Sequence, residues 1–415
     1  MIIHGDCLEE LKKMDSESVD AVVTDPPAGI SFMGKEWDTF NQVKTTKSQV
    51  ITWMTSGVKF DNKTRDSFID FMTEVMSESL RVLKPGAYAV VWALPRTSHW
   101  TATAVENAGF EIRDVIHHIF NSGFPKSHNI GKAVDKREGN EREVVGVGSA
   151  GYQVSISKTR KEQGYRPNET NATEEFPLTK GTSPYEGFGT ALKPACEHWI
   201  LARKPLKEKT VAEQVLKTGT GGLDIDGTRI PTMDKLQILH NETDEKDLMG
   251  GMKGKNAIGR SIESVDSGLG RFPANVAVQN DALGKENSRY FNLDIWSEKQ
   301  GILQIPKPAK SEKNKGLRGE EKTTDDGRNK PIDNPFLRGE TVRRNSHPTV
   351  KSITLMSWLI KLVSKQNDLI LDPFAGSGTT LVAAKLLGRN FIGIEKELEY
   401  VKIAEARLGS VNTLL

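Results

Sequence analysis

The stretch from Leu369 to Thr380 constrains the fold more than any other part of the chain. It reads LILDPFAGSGTT, so a short apolar run ends in a carboxylate, a glycine-rich turn follows, and a helical pattern begins at Leu381. This order predicts a buried strand, a tight loop and a helix N-terminus, the usual ligand-binding corner of a parallel α/β sheet. Gly376 and Gly378 would let the backbone approach a ligand closely.

Three nucleotide-type ligands compete for this loop. A P-loop needs a lysine before its last Ser or Thr, and none is present, which argues against ATP or GTP. A dinucleotide fingerprint needs a third glycine where Leu381 stands. The third ligand is S-adenosylmethionine, which has no phosphates. The next apolar run, Phe391 to Glu395, ends in an acid that could bind a ribose diol. An ordinary tight corner without a ligand stays open at this point.

The whole chain has 415 residues, of which 27% are charged and 36% hydrophobic, with a net charge of +2. This balance predicts a soluble protein with a sizeable core, and it does not by itself indicate nucleic acid. No apolar run is long enough to span a bilayer, and the N-terminus lacks the form of a signal peptide. Cys7 and Cys196 are too few for a disulfide framework and lack metal-ligand spacing. We therefore expect a cytoplasmic protein without membrane contact.

The second strong signal follows the strand predicted from Val19 to Thr24. This strand continues directly into Asp25-Pro26-Pro27-Ala28. Two prolines cannot extend a strand ladder, because neither donates a backbone N–H and both fix φ. They predict a rigid turn at the carboxyl end of the strand, where ligands bind in open α/β sheets. A plain strand-ending turn is the alternative interpretation.

Such a turn could activate an exocyclic amine of a nucleobase, whose lone pair is delocalised into the ring. A carboxylate and a fixed carbonyl can accept the two N–H hydrogens together, which frees the lone pair to attack a sulfonium methyl group. Asp25 would supply the carboxylate and Pro26 the carbonyl, with Pro27 keeping the turn rigid. Catalysis would depend on orientation and preorganised electrostatics, without a covalent intermediate.

The middle of the chain is polar and weakly periodic. Residues 153–189 predict a long mobile loop, and Glu197 to Ala202 predict a strand that returns to the sheet. His117 and His118 are adjacent on a predicted strand, so they face opposite sides and cannot bind one metal together; we interpret them as structural. A second polar region covers residues 204–344, and basic residues are frequent near its end. This end is either a solvated surface or a surface that contacts phosphates.

The motifs and their order resemble the permuted, β-group DNA amino-methyltransferases. The matching segments are residues 5–6, 25–27, 84–86, 197–201, 347–351 and 372–380. They belong to three stretches, 1–120, 194–204 and 346–409, which together make up roughly half of the chain. The turn Asp25-Pro26-Pro27-Ala28, followed by residues 29–32, is also similar to methylases of phages and prophages, which implies a bacterial or phage-infected cell.

The resemblance implies an α/β fold with a seven-stranded Rossmann-like methyltransferase sheet, circularly permuted, with an inserted target-recognition region. The implied divisions are a catalytic half at 1–120, an irregular polar insertion at 121–193, a return strand at 194–204, a target-recognition region at 205–345 and a cofactor-binding half at 346–415.

The resemblance also implies site residues. Asp6 and Cys7 would flank the adenine of S-adenosylmethionine, Glu395 would bind the ribose, and Thr349 and Lys351 would lie near the methionyl carboxylate. The implied cofactor-binding residues are Asp6, Cys7, Asp25, His347, Thr349, Lys351, Asp372, Pro373, Phe374, Ala375, Gly376, Ser377, Gly378, Thr379, Thr380 and Glu395.

The implied catalytic turn is Asp25 to Ala28, and it departs from the family at its last position. The family usually has an aromatic residue there, which stacks on the flipped base, and this chain has Ala28. Phe32 and Trp37 are the candidates to replace it. Base flipping itself follows because the amine is buried in a duplex.

We therefore predict a methyltransferase that modifies double-stranded DNA, with adenine N6 as the target. Asp25 at the start of the motif favours adenine over cytosine N4, for which the family more often has Ser. Cytosine ring-carbon methylation is disfavoured, because it needs a covalent cysteine nucleophile, which in enzymes of that type directly follows proline, whereas Cys196 follows Ala195. Arg343 and Arg344 are candidate phosphate contacts, and no metal is implied.

Several alternatives stay open. They are a cytosine-N4 enzyme, a catalytically weak DNA-binding protein of the same fold that lost activity at Ala28, and a methyltransferase for RNA or small molecules. The sequence also leaves open a homodimer and a cognate restriction enzyme as partners.

Overall fold

The computed structural model describes residues 1–29, 62–121, 123, 127–150, 174–232, 236–242, 259–265, 270–302, 317, 322–325, 340–343, 345, 347 and 349–411. Three predicted DNA-contacting residues, Phe32, Trp37 and Arg344, lie outside this description. None of the helices in the described ranges is long and apolar enough to cross a membrane.

The described strands, in chain order, are β1 Ile2–His4, β2 Val19–Thr24, β3 Leu83–Ala93, β4 Glu111–Ile119, β5 Glu143–Ala150, β6 Glu174–Lys180, β7 Cys196–Arg203, β8 Leu236–Glu242, β9 Gly259–Val265, β10 Val276–Val278, β11 Lys322–Asp325, β12 Glu340–Arg343, β13 Leu369–Asp372 and β14 Asn390–Glu395. The described helices are α1 Cys7–Lys13, α2 Asn62–Val82, α3 Ser98–Asn107, α4 Ile130–Glu138, α5 Val211–Thr218, α6 Ile225–Thr228, α7 Lys285–Ser288, α8 Leu293–Lys299, α9 Ile353–Val363, α10 Thr379–Leu386 and α11 Leu398–Gly409.

The central sheet has eight described strands in the order β1-β14-β13-β2-β3-β7-β4-β10. All neighbours in it are parallel except those of β7, which runs antiparallel to both β3 and β4. The prediction of seven strands was therefore wrong by one. The additional strand, β10, pairs with β4 and comes from the predicted recognition region. A three-residue Val-Ala-Val strand is too short to show periodicity, so no sequence pattern predicted it.

Helices cover both faces of the sheet. On one face, Trp199 and Leu201 of β7 share a buried cluster with α9 and α10. On the other face, alternate residues of β3 share a second cluster with α1, α2 and α3. The strands β2 and β13 consist of near-continuous buried residues, as expected for parallel strands covered on both sides.

Part of the predicted recognition region belongs to this core. Trp296 of α8 is fully buried and donates through Nε1 to the Gly227 carbonyl at 2.9 Å. Trp358 of α9 donates to the Thr228 carbonyl at 3.1 Å. The segment around α6 and α8 therefore supports the sheet, and a role of residues 205–345 in DNA recognition stays a prediction.

The predicted long loop of residues 153–189 was partly wrong. Its described end contains β6, which pairs antiparallel with β5. Next to this pair, the Arg142 guanidinium contacts Asp135 and donates to both carboxylate oxygens of Glu186, at 2.9 and 2.8 Å. Alternating apolar residues are scarce here, so strand periodicity was weak in the sequence.

The pairing of β2 with β13 determines where the site lies. Ala21 is opposite Ile370 and Val22 is opposite Leu371, so both strands end at the same edge of the sheet. The turn that follows β2 and the glycine-rich loop that follows β13 are thus brought together from opposite ends of the chain.

Candidate active site

A cavity of about 590 Å³ opens at this edge of the sheet, a size typical of small-molecule sites. Every catalytic and cofactor-binding residue predicted above lines it, except Gly378. Gly378 instead caps the N-terminus of α10 with a φ of 76°, and a Cβ there would lie 2.7 Å from the Ala404 Cβ. This glycine therefore permits close packing of two helices. The individual roles of the lining residues stay predictions.

The glycine-rich loop is fixed against the end of β14. Gly376 has a φ of 50°, and its N–H donates to Glu395 Oε2 at 2.8 Å. The other carboxylate oxygen of Glu395 accepts from the Glu397 N–H, also at 2.8 Å. A Cβ on Gly376 would lie 2.6 Å from His347 Nε2, so a side chain does not fit without rearrangement. Burial raises the pKa of Glu395.

Asp372 joins the two turns. Its buried carboxylate accepts from Thr24 Oγ1 at 2.6 Å and from the Phe374 N–H at 3.1 Å. Burial raises its pKa, while these hydrogen bonds favour its charged form. This contact couples the end of β2 to the start of the loop, although the residues are 348 positions apart in the sequence.

Arg407 stabilises the loop from the last helix, and sequence analysis missed it. Its buried guanidinium donates through Nη1 to the Ser377 carbonyl at 2.6 Å and to the Ser377 and Thr379 hydroxyls at 3.0 Å. An arginine in an amphipathic helix is usually solvent-exposed. Nothing in the local pattern around this one distinguished it.

The N-terminal segment contributes another wall of the cavity. Asp6 is the N-cap of α1 and accepts from the Leu8 N–H at 3.0 Å. Its second oxygen lies 3.6 Å from the Lys396 ammonium. Cys7 is buried, and desolvation raises the pKa of its thiol to about 12. This cysteine is therefore a neutral, weakly polar wall residue at physiological pH.

A lysine lies between two carboxylates at the end of the cavity that follows β2. Lys351 Nζ is 3.4 Å from Asp25 Oδ1 and 3.4 Å from Glu197 Oε1. The same ammonium lies 3.9 Å from the ring centroid of Trp92, a favourable cation–π distance. Two acids and one base leave this end of the site with excess negative charge when all three are ionised.

The two carboxyl groups differ in their protonation. Burial raises the pKa of Asp25 to about 7, with Lys351 opposing the shift and Glu197 and Asp372 adding to it. Burial would also raise the pKa of Glu197, but Lys351 and His118 outweigh it and bring that pKa to about 2. Glu197 is thus a permanent counterion of Lys351, and Asp25 is the group that titrates near neutral pH.

Glu197 was not predicted as a site residue, and a polar chain continues beyond it. His118 Nδ1 lies 3.5 Å from Glu197 Oε2, and His118 Nε2 lies 3.0 Å from Gln279 Oε1. Gln279, which follows β10, donates to the hydroxyl of Ser352 at 2.9 Å. Ser352 is the N-cap of α9 and comes directly after Lys351. The only sequence signal was the position of Glu197 in the predicted return strand.

Ala28, the departure from the family pattern, lies in the wall of the cavity. Its carbonyl accepts from Thr97 Oγ1 at 3.2 Å. The next residue, Gly29, has a φ of 71°, and a Cβ there would lie 2.6 Å from the Phe68 ring. Apolar side chains missed by sequence analysis also line the cavity: Phe71, Trp92, Leu94 and Met356.

One predicted phosphate contact, Arg343, lies within the described residues. Arg343 is the last residue of β12 and is the backbone partner of Lys322 in a separate two-stranded sheet.

The known proteins that this chain is similar to are methyltransferases. A family model for N6/N4 amino-methyltransferases, described as DNA methylase, matches residues 19–406. The type II methyltransferase M.HindIII of Haemophilus influenzae is 23% identical over 98% of this chain and 94% of its own length. The type II methyltransferase M2.MboI of Moraxella bovis is 36% identical, over 31% of this chain and 45% of its own. The crystal structure of the M1.HpyAVI–SAM complex is 17% identical, covers 98% of both chains and has a TM-score of 0.38.

Proposed function

This chain belongs to the N6/N4 DNA methylase family, and we propose that it transfers a methyl group from S-adenosylmethionine to adenine N6 in double-stranded DNA. The observation that supports this most is the composition of one cavity. The Asp25-Pro26-Pro27 turn lines it together with the glycine-rich loop and the acid at the end of β14.

The residues present fit S-adenosylmethionine. Gly376 lines the cavity and has no Cβ, so its backbone can approach a ligand closely. Each oxygen of Glu395 accepts one backbone hydrogen bond and keeps a lone pair for ribose hydroxyls. The neutral Cys7 thiol and the apolar Phe374 ring both line the cavity and are suited to contact an adenine ring. When bound, this cofactor supplies an electrophilic methyl group on a positively charged sulfur.

Asp25 and Pro26 act on the other reactant, the amine. The Asp25 carboxylate and the Pro26 carbonyl accept its two N–H hydrogens, which directs the nitrogen lone pair toward the methyl donor. As the nitrogen–carbon bond forms and the carbon–sulfur bond of the donor breaks, the amine would become acidic, and Asp25 would take its proton. A pKa of about 7 allows this group to release the proton to water at neutral pH.

The surrounding charges keep Asp25 available for this role. Lys351 is shared with the permanently ionised Glu197, so it does not form an exclusive ion pair with Asp25. The amine of a paired base lies inside the duplex, so the base must leave the stack to reach Asp25. The apolar wall around Ala28 and Trp92 offers a surface for an extruded base.

The experiment uses the purified full-length chain, labelled S-adenosylmethionine and unmethylated duplex DNA. Digestion to nucleosides and mass spectrometry should find the label in N6-methyladenine. Label in N4-methylcytosine would overturn the adenine assignment and support the cytosine alternative. Absence of label from DNA, with intact cofactor and DNA binding, would instead support a catalytically inert DNA-binding protein.

A further inference from the structure

Three side chains that commonly bind metal ions lie together outside the cavity. They are His117 of β4 and Cys196 and His198 of β7, and their ligand atoms all lie within 4.8 Å of one another. Cys196 Sγ is 3.9 Å from His117 Nδ1. The two imidazole rings are 4.9 Å apart at their centroids and nearly perpendicular.

The strand register explains why these three side chains meet. His117 and His198 are direct cross-strand partners in the antiparallel pair of β4 and β7. Cys196 lies two residues before His198, so it is on the same face of the sheet. The alternate residues, His118 and Glu197, form their own cross-strand pair and point to the opposite face. The two faces of one strand pair thus present two different groups, one in the catalytic network and one outside it.

The three donors have the chemistry of a zinc site. Two imidazole nitrogens and one thiolate suit a borderline-soft divalent ion. Zinc binds nitrogen at about 2.0–2.1 Å and sulfur at about 2.3 Å, so ligand atoms in a tetrahedral site lie roughly 3.3–3.7 Å apart. The 3.9 Å between Cys196 and His117 is close to this range. Small side-chain rotations would bring in the third donor, and a fourth position would stay open for water or another ligand.

Both kinds of donor can reach the protonation state that binding needs. Zinc binds an imidazole through a nitrogen that carries no proton, and it binds a cysteine as the thiolate. Burial raises the pKa of the Cys196 thiol, so a bound ion must displace its proton. Binding would therefore form one metal–sulfur bond and release one proton to solvent, with no change in oxidation state.

We propose that His117, Cys196 and His198 bind one zinc-type divalent ion on the face of the sheet opposite the catalytic network. The ion would link His117 of β4 to Cys196 and His198 of β7, which are the two sequence neighbours of Glu197. This assignment replaces the expectation that the chain binds no metal, and it does not depend on the methyl-transfer proposal. In the sequence, His117 lies next to His118, which faces the other side of the sheet. Its structural partners come from a strand about 80 residues later.

The test measures zinc in the untagged full-length protein after equilibration with micromolar zinc and removal of free metal. Elemental analysis should find about one zinc per chain in the wild type. Cys196→Ser and His198→Gln should each lose it. His118→Gln is the matched control, because it replaces the adjacent histidine on the other face, and it should retain zinc. Equal zinc content in Cys196→Ser and the wild type would overturn the proposal, because the ion would then lie elsewhere.

Cobalt binding provides a second measurement, which can be made on the wild-type protein without any mutation in the cluster. The wild-type protein with Co²⁺ should show a thiolate-to-cobalt charge-transfer band. Cys7→Ser should keep this band, because Cys7 lines the cavity and is not part of the cluster. Absence of this band from the folded wild type would overturn the site even if Cys196→Ser fails to fold.

Discussion

The two ends of the cavity are built in different ways. At the loop end, backbone groups, hydroxyls and two ionisable side chains that bind them fix the geometry: the Gly376 N–H donates to the Glu395 carboxylate, and the Arg407 guanidinium donates to Ser377 and Thr379. At the other end, Asp25 depends on a balance of charges with Lys351 and Glu197. Backbone contacts do not titrate near neutral pH, whereas a carboxyl group with a pKa of about 7 does. The comparison predicts a loop end that is sensitive to shape and an amine end that is sensitive to charge.

The largest effect is expected from Asp25→Asn, which keeps the size of the side chain and removes its negative charge. Loss of a positioned acceptor and proton acceptor should reduce the rate of methyl transfer by about 100-fold or more. Cofactor affinity should change little, because the loop end is unaltered. Single-turnover transfer and equilibrium cofactor binding would be measured on the same preparation. Asp66→Asn, on the surface of α2, is the control. A wild-type transfer rate in Asp25→Asn would exclude this carboxylate from the chemistry.

Gly376→Ala should produce the opposite pattern. A side chain at positive φ costs about 1–2 kcal/mol, and the new Cβ would also crowd His347. We expect cofactor affinity to fall by roughly 10-fold or more, since 1.4 kcal/mol corresponds to about 10-fold. Transfer at saturating cofactor should be less affected. Titration calorimetry would measure the affinity, with Gly409→Ala as the control because no atom lies within 4 Å of that Cβ position. Unchanged affinity in Gly376→Ala would remove the loop from the cofactor site.

The charge balance at the amine end should shift the pH profile in two directions. Lys351 lowers the pKa of Asp25, so Lys351→Gln should move the rising limb of transfer activity to higher pH. Glu197 raises that pKa, so Glu197→Gln should move the limb to lower pH. Single-turnover rates at saturating cofactor would give both limbs, and Lys361→Gln, on the helix α9 that follows Lys351, is the control. Shifts of the same sign in both variants would contradict the proposed network.

A smaller effect is expected on stability. The folded-state pKa of Asp25 is about 7, above its ordinary value of 3.8, so ionising this group opposes folding. At low pH Asp25 is protonated in the folded state, and ionisation does not reduce the stability of the protein. This stability is lost as pH rises toward and through 7. Asp25→Asn should therefore raise the melting temperature relative to wild type more at pH 8 than at pH 5. Thermal unfolding of both proteins at the two pH values would check this. A difference in melting temperature that grows toward low pH would contradict this prediction.

Local sequence patterns predicted the elements that frame the cavity. The strand Val19–Thr24 has the predicted bounds, and the runs ending in Asp372 and Glu395 form adjacent strands. These signals were strong because a buried strand and a turn both depend on neighbouring residues in the sequence. Circular permutation, target recognition by residues 205–345 and the roles of single residues stay predictions.

Other features depend on contacts between distant residues, which no local pattern encodes. Arg407 is buried because the loop of Ser377 and Thr379 supplies acceptors, not because its helix looks unusual. Glu197 belongs to the site because β7 brings it beside Lys351. The cluster of His117, Cys196 and His198 likewise depends on the register of two strands.

The most direct test of the difference between the two ends is one pH series on the wild-type protein. Single-turnover methyl transfer and cofactor affinity would be measured in parallel between pH 6 and 8. The account predicts that transfer rises with an apparent pKa near 7 as Asp25 ionises, while cofactor affinity stays constant. A constant transfer rate, or a cofactor affinity that follows the same curve, would contradict it.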